Sequence, residues 1–198
     1  MIEKFACVLA TIIAACLVMI LHEIPKTIIY KIRVKKKQPN INIVQFIDPV
    51  GLIFAVVGYC GFSKPYAYHV RDKKTNLWIG YVGMITLAFL FLAATFGCKY
   101  IMSPFVVAYA GTGTMEYVSV FLFWIVQYMG VVSMGMFFVN LFPIVPFNMG
   151  NLIAGYSTSK LLSILKSDYE LKMLYFLAMI FGIIKKFSVQ IFLFLYNM

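Results

Sequence analysis

The chain has 198 residues, of which 63% are hydrophobic and 12% charged, and its mean hydropathy is +0.91. This composition excludes an ordinary soluble domain, in which about a quarter of the residues carry charge. Together with the length, it predicts a single integral membrane domain, residues 1–198, built as an all-α bundle of about four to six membrane segments. The four cysteines lack CxxC spacing and predict core thiols, not disulfides or a metal knuckle.

Much of the net charge of +10 lies in two stretches of the sequence. Lysine and arginine recur without any acidic residue over residues 26–37, and a second basic group lies within 64–74. Basic residues beside a span mark the cytoplasmic side and attract anionic lipids. We therefore expect the loops 26–48 and 64–76 to be cytoplasmic in a bacterial cytoplasmic membrane. Membrane lipids are the expected partners of these loops, and nucleic acid is not.

The first predicted element is a span over residues 5–24, close to the roughly 20 residues that cross hydrocarbon. Pro25 predicts a kink or a stop because proline lacks the helical N–H. The mostly alternating apolar pattern of residues 41–47 predicts a short strand near the membrane surface. Residues 50–62 are short for a full crossing and have basic flanks, which predicts a re-entrant or partly inserted segment.

A clear span is predicted over residues 77–98, with 99–115 outside the membrane. Residues 117–159 contain no charged side chain and no histidine, yet they are too long for one helix. We expect a crossing over 117–138 and then a bend through 140–150.

A short helix is predicted to follow the bend and to end near residue 165. The tail has two apolar halves, 173–184 and 187–198, separated by Lys185-Lys186. One continuous helix and a hairpin both fit this tail pattern.

The most informative local pattern is His22-Glu23-Ile24-Pro25-Lys26 at the end of the first predicted span. A His-Glu-x-x-His helix binds zinc through its two histidines. Lys26 stands where the second histidine would be, and a lysine ammonium has no lone pair for a metal. The second informative pattern is the proline-containing bend at 140–150, because irregular backbone at membrane depth survives only inside protein or beside a water-filled cavity.

Three segments, in order, resemble the site-2 proteases, which are intramembrane zinc metalloproteases that cut transmembrane segments of other proteins. His22-Glu23 resembles the metal-binding helix of that family, and residues 46–51 with 61–65 resemble its middle part. Residues 140–150 are similar to its Asn-x-x-Pro and Leu-Asp-Gly segment, in which the aspartate is the third zinc ligand. The resemblance implies a base at Glu23, metal positions at His22, Lys26 and Asn148, and a supporting loop with Asn140, Pro143, Pro146 and Gly150.

The departures from the family pattern fall on the metal ligands. Only His22 remains of the three implied ligands, and a catalytic zinc normally has three protein ligands. Glu23 and Lys26 are three residues apart on a helix, so they can pair, and pairing lowers the cost of burying either charge. We therefore expect an ion pair in place of the metal and no cofactor. The resulting interpretation is a catalytically inactive pseudoprotease that binds a partner's transmembrane segment.

Two alternatives stay open at this point. The chain could be an active protease whose metal is held by His22, Asn148 and a partner's residue or water. It could also be a small transporter or immunity-type membrane protein, in which the Glu23 and Lys26 charges belong to a pathway. Metal analysis and substrate cleavage test the first alternative, and accessibility labelling along the first span tests the second.

Overall fold

A computed structural model describes residues 2–34, 41–66, 72–145 and 147–198. Every regular element in these ranges is helical, which confirms the predicted all-α class. The α-helices are α1 (Ile2–Arg33), α2 (Pro49–Gly58), α3 (Lys73–Gly97), α4 (Ser103–Ala108), α5 (Thr114–Asn140), α6 (Asn148–Tyr156), α7 (Thr158–Lys166), α8 (Asp168–Ile180) and α9 (Ile183–Asn197). A 3₁₀ turn spans Ile43–Phe46, and a π-helical turn over Cys98–Met102 joins α3 to α4.

Three helical segments among the described residues are long and apolar enough to cross a membrane: Glu3–Arg33, Lys73–Ala108 and Thr114–Asn140. A fourth crossing is possible if the bent pair α8 and α9 counts as one span. The second of these segments is helical as far as Ala108, past residue 98, where the predicted span ends. These lengths and compositions are those of an integral membrane protein.

The centre of the bundle is formed where α1, α3 and α5 pack against one another. Small and medium apolar side chains fill this centre and are fully buried: Ala15, Val18, Met19, Leu87, Val132 and Met136. His22, Glu23 and Lys26 continue the same buried face of α1 toward its C-terminal half. Packing of the core against α1 therefore positions these three side chains inside the bundle.

Pro25 lies inside α1, so of the kink or stop that was predicted at this residue the stop is wrong. Proline removes one backbone hydrogen bond, which is a local loss. The residues that follow are packed, because Lys26, Thr27 and Tyr30 are all buried. This burial keeps the segment helical as far as Arg33.

Residues 41–47 do not form a strand, so the predicted β element is wrong. The Asn42 side chain accepts a hydrogen bond from the N–H of Val44 at 3.2 Å and caps the 3₁₀ turn. Such a local side-chain bond competes with pairing in a sheet. No second strand is present among the described residues to supply a partner. The turn instead buries Phe46 in a cluster with Tyr30, Tyr66 and Ile79.

The segment after the bend also differs from the prediction. A single short helix was expected to reach residue 165, but α6 ends at Tyr156 and α7 starts anew at Thr158. Ser157 caps α7 by accepting a hydrogen bond from the N–H of Lys160 at 3.4 Å. Hydroxyl side chains that bond backbone N–H groups favour helix starts, which explains the break.

The tail consists of α8 and α9, whose axes differ by 57°. The break lies at Phe181 and Gly182, and Gly182 has a φ of 66°. Glycine adopts this left-handed conformation at little cost. The glycine therefore interrupts the tail, and Lys185-Lys186 lies inside α9.

Several residues of the sequence analysis lie outside the described ranges. These are Pro146 of the supporting loop and part of the basic loops, including Lys35, Lys36, Lys37, His69 and Arg71.

The 10-residue helix α2, about 15 Å long, is too short to cross the hydrocarbon core of about 30 Å.

Candidate functional site

Three ionisable side chains of α1 lie inside the helix bundle. His22, Glu23 and Lys26 are 1%, 1% and 2% exposed, and Asn148 at the start of α6 is fully buried beside them. Ionisable groups at such depth are costly unless they are paired and hydrogen-bonded. The structure therefore brings together the four positions that the sequence analysis singled out.

These four side chains form one closed hydrogen-bonded ring with a fifth residue, Ser63. The Lys26 ammonium donates to Glu23 Oε1 at 2.5 Å and to Asn148 Oδ1 at 3.4 Å. The Ser63 hydroxyl donates to the same Glu23 oxygen at 2.6 Å. His22 closes the ring, because its Nδ1 lies 2.9 Å from Ser63 Oγ and its Nε2 lies 3.1 Å from Asn148 Nδ2. We call this arrangement the five-residue ring.

The chemistry of the partners fixes the direction of every bond in the ring. Ser63 has one hydroxyl hydrogen and gives it to Glu23, so Ser63 Oγ must accept from His22 Nδ1–H. His22 Nε2 then carries the lone pair and accepts from the Asn148 amide NH₂. The Asn148 oxygen faces the Lys26 ammonium, and the flipped amide would set two donors against each other. The ring thus holds a neutral Nδ1–H histidine and one ion pair, with a net charge of zero.

Ser63 was missed as a site residue in the sequence analysis. It lies 40 positions from Glu23 in sequence, and helical spacing therefore gives no indication that the two meet. The available signal was the segment 61–65, which was already identified as similar to the middle part of the site-2 proteases. A hydroxyl in such a segment is a candidate partner for a buried carboxylate.

Asn148 is held in place by two features outside the ring. Its backbone N–H donates to Asn140 Oδ1 at 3.2 Å, and the Asn140 amide donates to the carbonyl of Met136 at 2.8 Å. On the other side, α3 passes so closely that a Cβ on Gly83 would lie 2.3 Å from Asn148 Oδ1. Asn140 and Gly83 are therefore positioning residues.

The bend between α5 and α6 contains the rest of the predicted supporting loop. Pro143 lies in this bend and is partly buried. Gly150 is buried in the first turn of α6, where an added Cβ would lie 2.4 Å from the carbonyl oxygen of Ile144. The absence of a side chain at Gly150 lets α6 fold back against the bend and point Asn148 into the bundle.

A small cavity among the described residues adjoins the ring. A cavity of about 10 Å³ lies beside Glu23 and Lys26, which is about the room that one water molecule requires. Phe62 and Phe147 line this cavity. Both rings pack edge to face against Tyr175 of α8, and they are tilted against each other. Among the described residues, this aromatic cover lies over the ion pair, and the cavity that it lines is too small for a peptide.

The ring does not fit a zinc ion. His22 Nε2 accepts from an amide N–H, Lys26 carries a positive charge, and the Asn148 oxygen accepts from Lys26. Zinc would need three unprotonated ligands in this space. In the part of the chain that the structure describes, no three histidine, cysteine, aspartate or glutamate side chains come together as another possible metal site.

Ser63 and His22 are close enough to suggest a nucleophile and its base, but the ring assigns them other roles. The Ser63 proton already points at Glu23, and His22 donates to Ser63 where a general base would accept. The buried thiol of Cys60 is no better nucleophile, because desolvation raises its pKa to about 11. The arrangement is therefore suited to structure, not to bond cleavage.

The comparisons with known proteins are negative: no protein family, curated protein or solved structure matches this chain.

Proposed function

We propose that this chain is a site-2-protease-like membrane protein whose catalytic centre has become a structural ion-pair network, and that it binds a transmembrane segment of a partner without cutting it. The observation that carries this proposal is the five-residue ring. In the ring, Glu23 at the implied base position meets the residues at the three implied metal positions, which are His22, Lys26 and Asn148. Ser63, from the middle segment 61–65 of the resemblance, lies in the same buried cluster. A chance likeness in sequence gives no reason for these distant positions to meet.

The ring also accounts for the lack of catalysis in this proposal. A zinc protease lowers the pKa of its bound water through the metal charge. The charge of Glu23 is instead paired with Lys26, and Ser63 donates a further hydrogen bond to the same carboxylate oxygen. The carboxylate is thus engaged by two donors beside a water-sized cavity, and no metal-bound water is part of this arrangement for it to activate.

A groove between the first turns of α1 and the N-terminal half of α5 offers a place for the partner segment. It has a volume of about 580 Å³. Tyr117, Phe121 and Trp124 line it at helical spacing, and Glu3 and Glu116 lie at the same end. Neither carboxylate has a basic nitrogen within 4 Å among the described residues. The groove therefore suits a transmembrane helix that carries a lysine or arginine at its membrane boundary.

The proposal includes an orientation in a bacterial cytoplasmic membrane. The basic ends of α1 and α3 would face the cytoplasm, following the positive-inside rule. The groove with Glu3 and Glu116 would then open on the opposite side. The basic residue of the partner segment is accordingly expected at its extracytoplasmic boundary.

Metal analysis of the purified protein tests the inactive centre. We expect no stoichiometric zinc in the parent chain. Stoichiometric zinc that is lost on His22→Ala would overturn the proposal, and so would cleavage of a membrane substrate that disappears in Glu23→Gln. Lys26→His with Asn148→Asp restores the implied ligand set, and zinc uptake by this variant alone would support the ancestry.

Crosslinking in reconstituted vesicles tests the binding groove. A photoreactive residue replaces Phe121, and a matched control replaces Ile85, which is 64% exposed on α3. The probes are two leucine-alanine transmembrane peptides with either lysine or glutamine flanks. We expect the lysine-flanked peptide to crosslink preferentially at position 121, and Glu3→Gln with Glu116→Gln to remove the preference. Equal labelling at both positions, or by both peptides, would refute the groove assignment.

A further inference from the structure

We infer that the membrane edge where α1 ends and α3 begins carries a binding site for one anionic phospholipid. The site is a pocket of about 210 Å³ lined by Ile29, Ile32, Arg33 and Trp78. We call it the Arg33–Trp78 pocket. It is separate from the five-residue ring, and it stands whether or not the proposed function holds.

Arg33 is arranged to receive a phosphate. Its guanidinium carbon lies 5.2 Å from the centre of the Trp78 ring, within the range of a cation–π contact. A guanidinium stacked in this way keeps the N–H donors at its edge available for bidentate binding of a phosphate. Among the described residues, no carboxylate lies within 4 Å of Arg33. Arg33 therefore makes no close ion pair in this part of the chain, although its charge helps to lower the pKa of Asp72 from a longer distance.

The charges around the pocket also favour an anion. Lys73 and Lys74 stand exposed in the first turn of α3, next to the pocket in sequence. Beside the pocket, the described part of the chain has an acidic residue at Asp72, whose carboxylate caps α3. Its carboxylate accepts from the Thr75 hydroxyl at 2.7 Å and from the N–H of Thr75 at 3.0 Å, and these bonds hold its pKa below the ordinary value. Arg33 and the two lysines outweigh this single negative charge.

The remaining walls of the pocket suit the apolar part of a lipid. Ile32 is 73% exposed and Trp78 is half exposed, so both offer apolar surface next to the guanidinium. Tryptophan at the end of a span lies at the level of the headgroups, and basic pockets between spanning helices bind anionic headgroups there. A phosphate on Arg33 would place the first acyl carbons against the isoleucines and the indole. The pocket thus offers a cation for the phosphate and apolar side chains for the acyl chains of a phospholipid, from two neighbouring helices.

Fluorescence of Trp78 gives a direct test, because this side chain is part of the pocket. The chain has two tryptophans, so Trp124→Phe leaves Trp78 as the only one. This protein is reconstituted with phospholipids whose acyl chains carry bromine, which quenches a tryptophan in contact. At equal mole fraction, brominated phosphatidylglycerol is expected to quench Trp78 more strongly than brominated phosphatidylcholine.

Charge variants distinguish a specific lipid site at Arg33 from non-specific attraction of anionic lipids to a basic surface. Arg33→Gln is expected to weaken the preference for phosphatidylglycerol about fivefold, the effect of one basic residue at a membrane surface. Arg33→Lys keeps the charge and should retain part of the preference, which controls for folding. Lys99→Gln is the matched control, because Lys99 also lies over an aromatic ring, that of Tyr100, beyond the other end of α3.

Three results would overturn the site. They are equal quenching by both lipids in the single-tryptophan protein, an unchanged preference in Arg33→Gln, and an equal loss in Lys99→Gln. Soluble glycerol phosphate in excess is expected to leave the quenching unchanged, because the acyl chain supplies part of the binding. Displacement by glycerol phosphate would assign the pocket to a free phosphate ester and would also contradict the inference.

Discussion

Replacing Lys26 by methionine gives the sharpest test of the five-residue ring. Methionine fills similar space but removes the ammonium that lies 2.5 Å from Glu23 Oε1. Glu23 is 1% exposed, so its charge would stay buried with the Ser63 hydroxyl as a donor and without a cation. Breaking a buried pair from one side costs about 3–5 kcal/mol. At about 2–4 °C for each kcal/mol, the unfolding midpoint should fall by about 6–20 °C.

The assay is thermal unfolding of the purified protein in detergent, followed by tryptophan fluorescence. Lys172→Met is the matched control, because Lys172 pairs with Asp168 at a spacing of four residues but is 48% exposed. Exposed pairs contribute about 0.2–1 kcal/mol, so this control should change the midpoint by only a few degrees. Glu23→Gln combined with Lys26→Met removes both charges and should recover much of the lost stability. A Lys26→Met midpoint as close to the parent as that of Lys172→Met would refute the ring as a charge-paired unit.

Three further predictions follow from the same structure. Ser63→Ala removes the acceptor of His22 Nδ1–H and a donor to Glu23. It should therefore lower the free energy of unfolding by about 1–3 kcal/mol. It should also abolish the preference of the His22 ring for the Nδ1–H tautomer, which ¹⁵N NMR measures. Gly83→Ala should lower the free energy of unfolding by about 1–3 kcal/mol, because the added Cβ overlaps with Asn148. Gly97→Ala is the control, since the nearest atom of another segment would lie 3.9 Å from its Cβ. This control should be neutral or stabilising by up to about 1 kcal/mol. Asp72 has a pKa depressed by its Thr75 bonds, so its capping of α3 should be complete above the ordinary value of 3.8 and be lost as the pH falls through the lower folded pKa. Amide exchange at the start of α3 should show this loss in the parent and not in Asp72→Asn.

The sequence was most informative where one helix carries the whole pattern. The spacing of Glu23 and Lys26 is enough to predict their pairing, because residues three apart share a helix face. The long apolar runs likewise predict the three spanning segments. Both predictions depend only on local periodicity and composition.

The predictions that failed depend on contacts with distant residues or on local capping. Residues 41–47 have strand-like alternation, but Asn42 bonds its own backbone and no strand lies beside it. Pro25 is tolerated because buried side chains follow it on α1. Ser63 and Gly83 join the site from other segments, and neither has a sequence spacing that relates it to His22 or Asn148. The role of Gly83 becomes visible only in the folded chain, and the one sequence signal for Ser63 was its place in the segment 61–65.

The closed order of the five-residue ring has a consequence for how this protein can change in evolution. Each hydrogen bond in the ring has one fixed direction, so a replacement at one position leaves two neighbours with one partner fewer each. A single substitution at any of these positions is therefore expected to be destabilising, and not neutral. Relatives of this chain should either keep His22, Glu23, Lys26, Ser63 and Asn148 together or differ at several of them at once. Sequences gathered from related organisms would show this as covariation among five sites that are scattered over more than half of the chain.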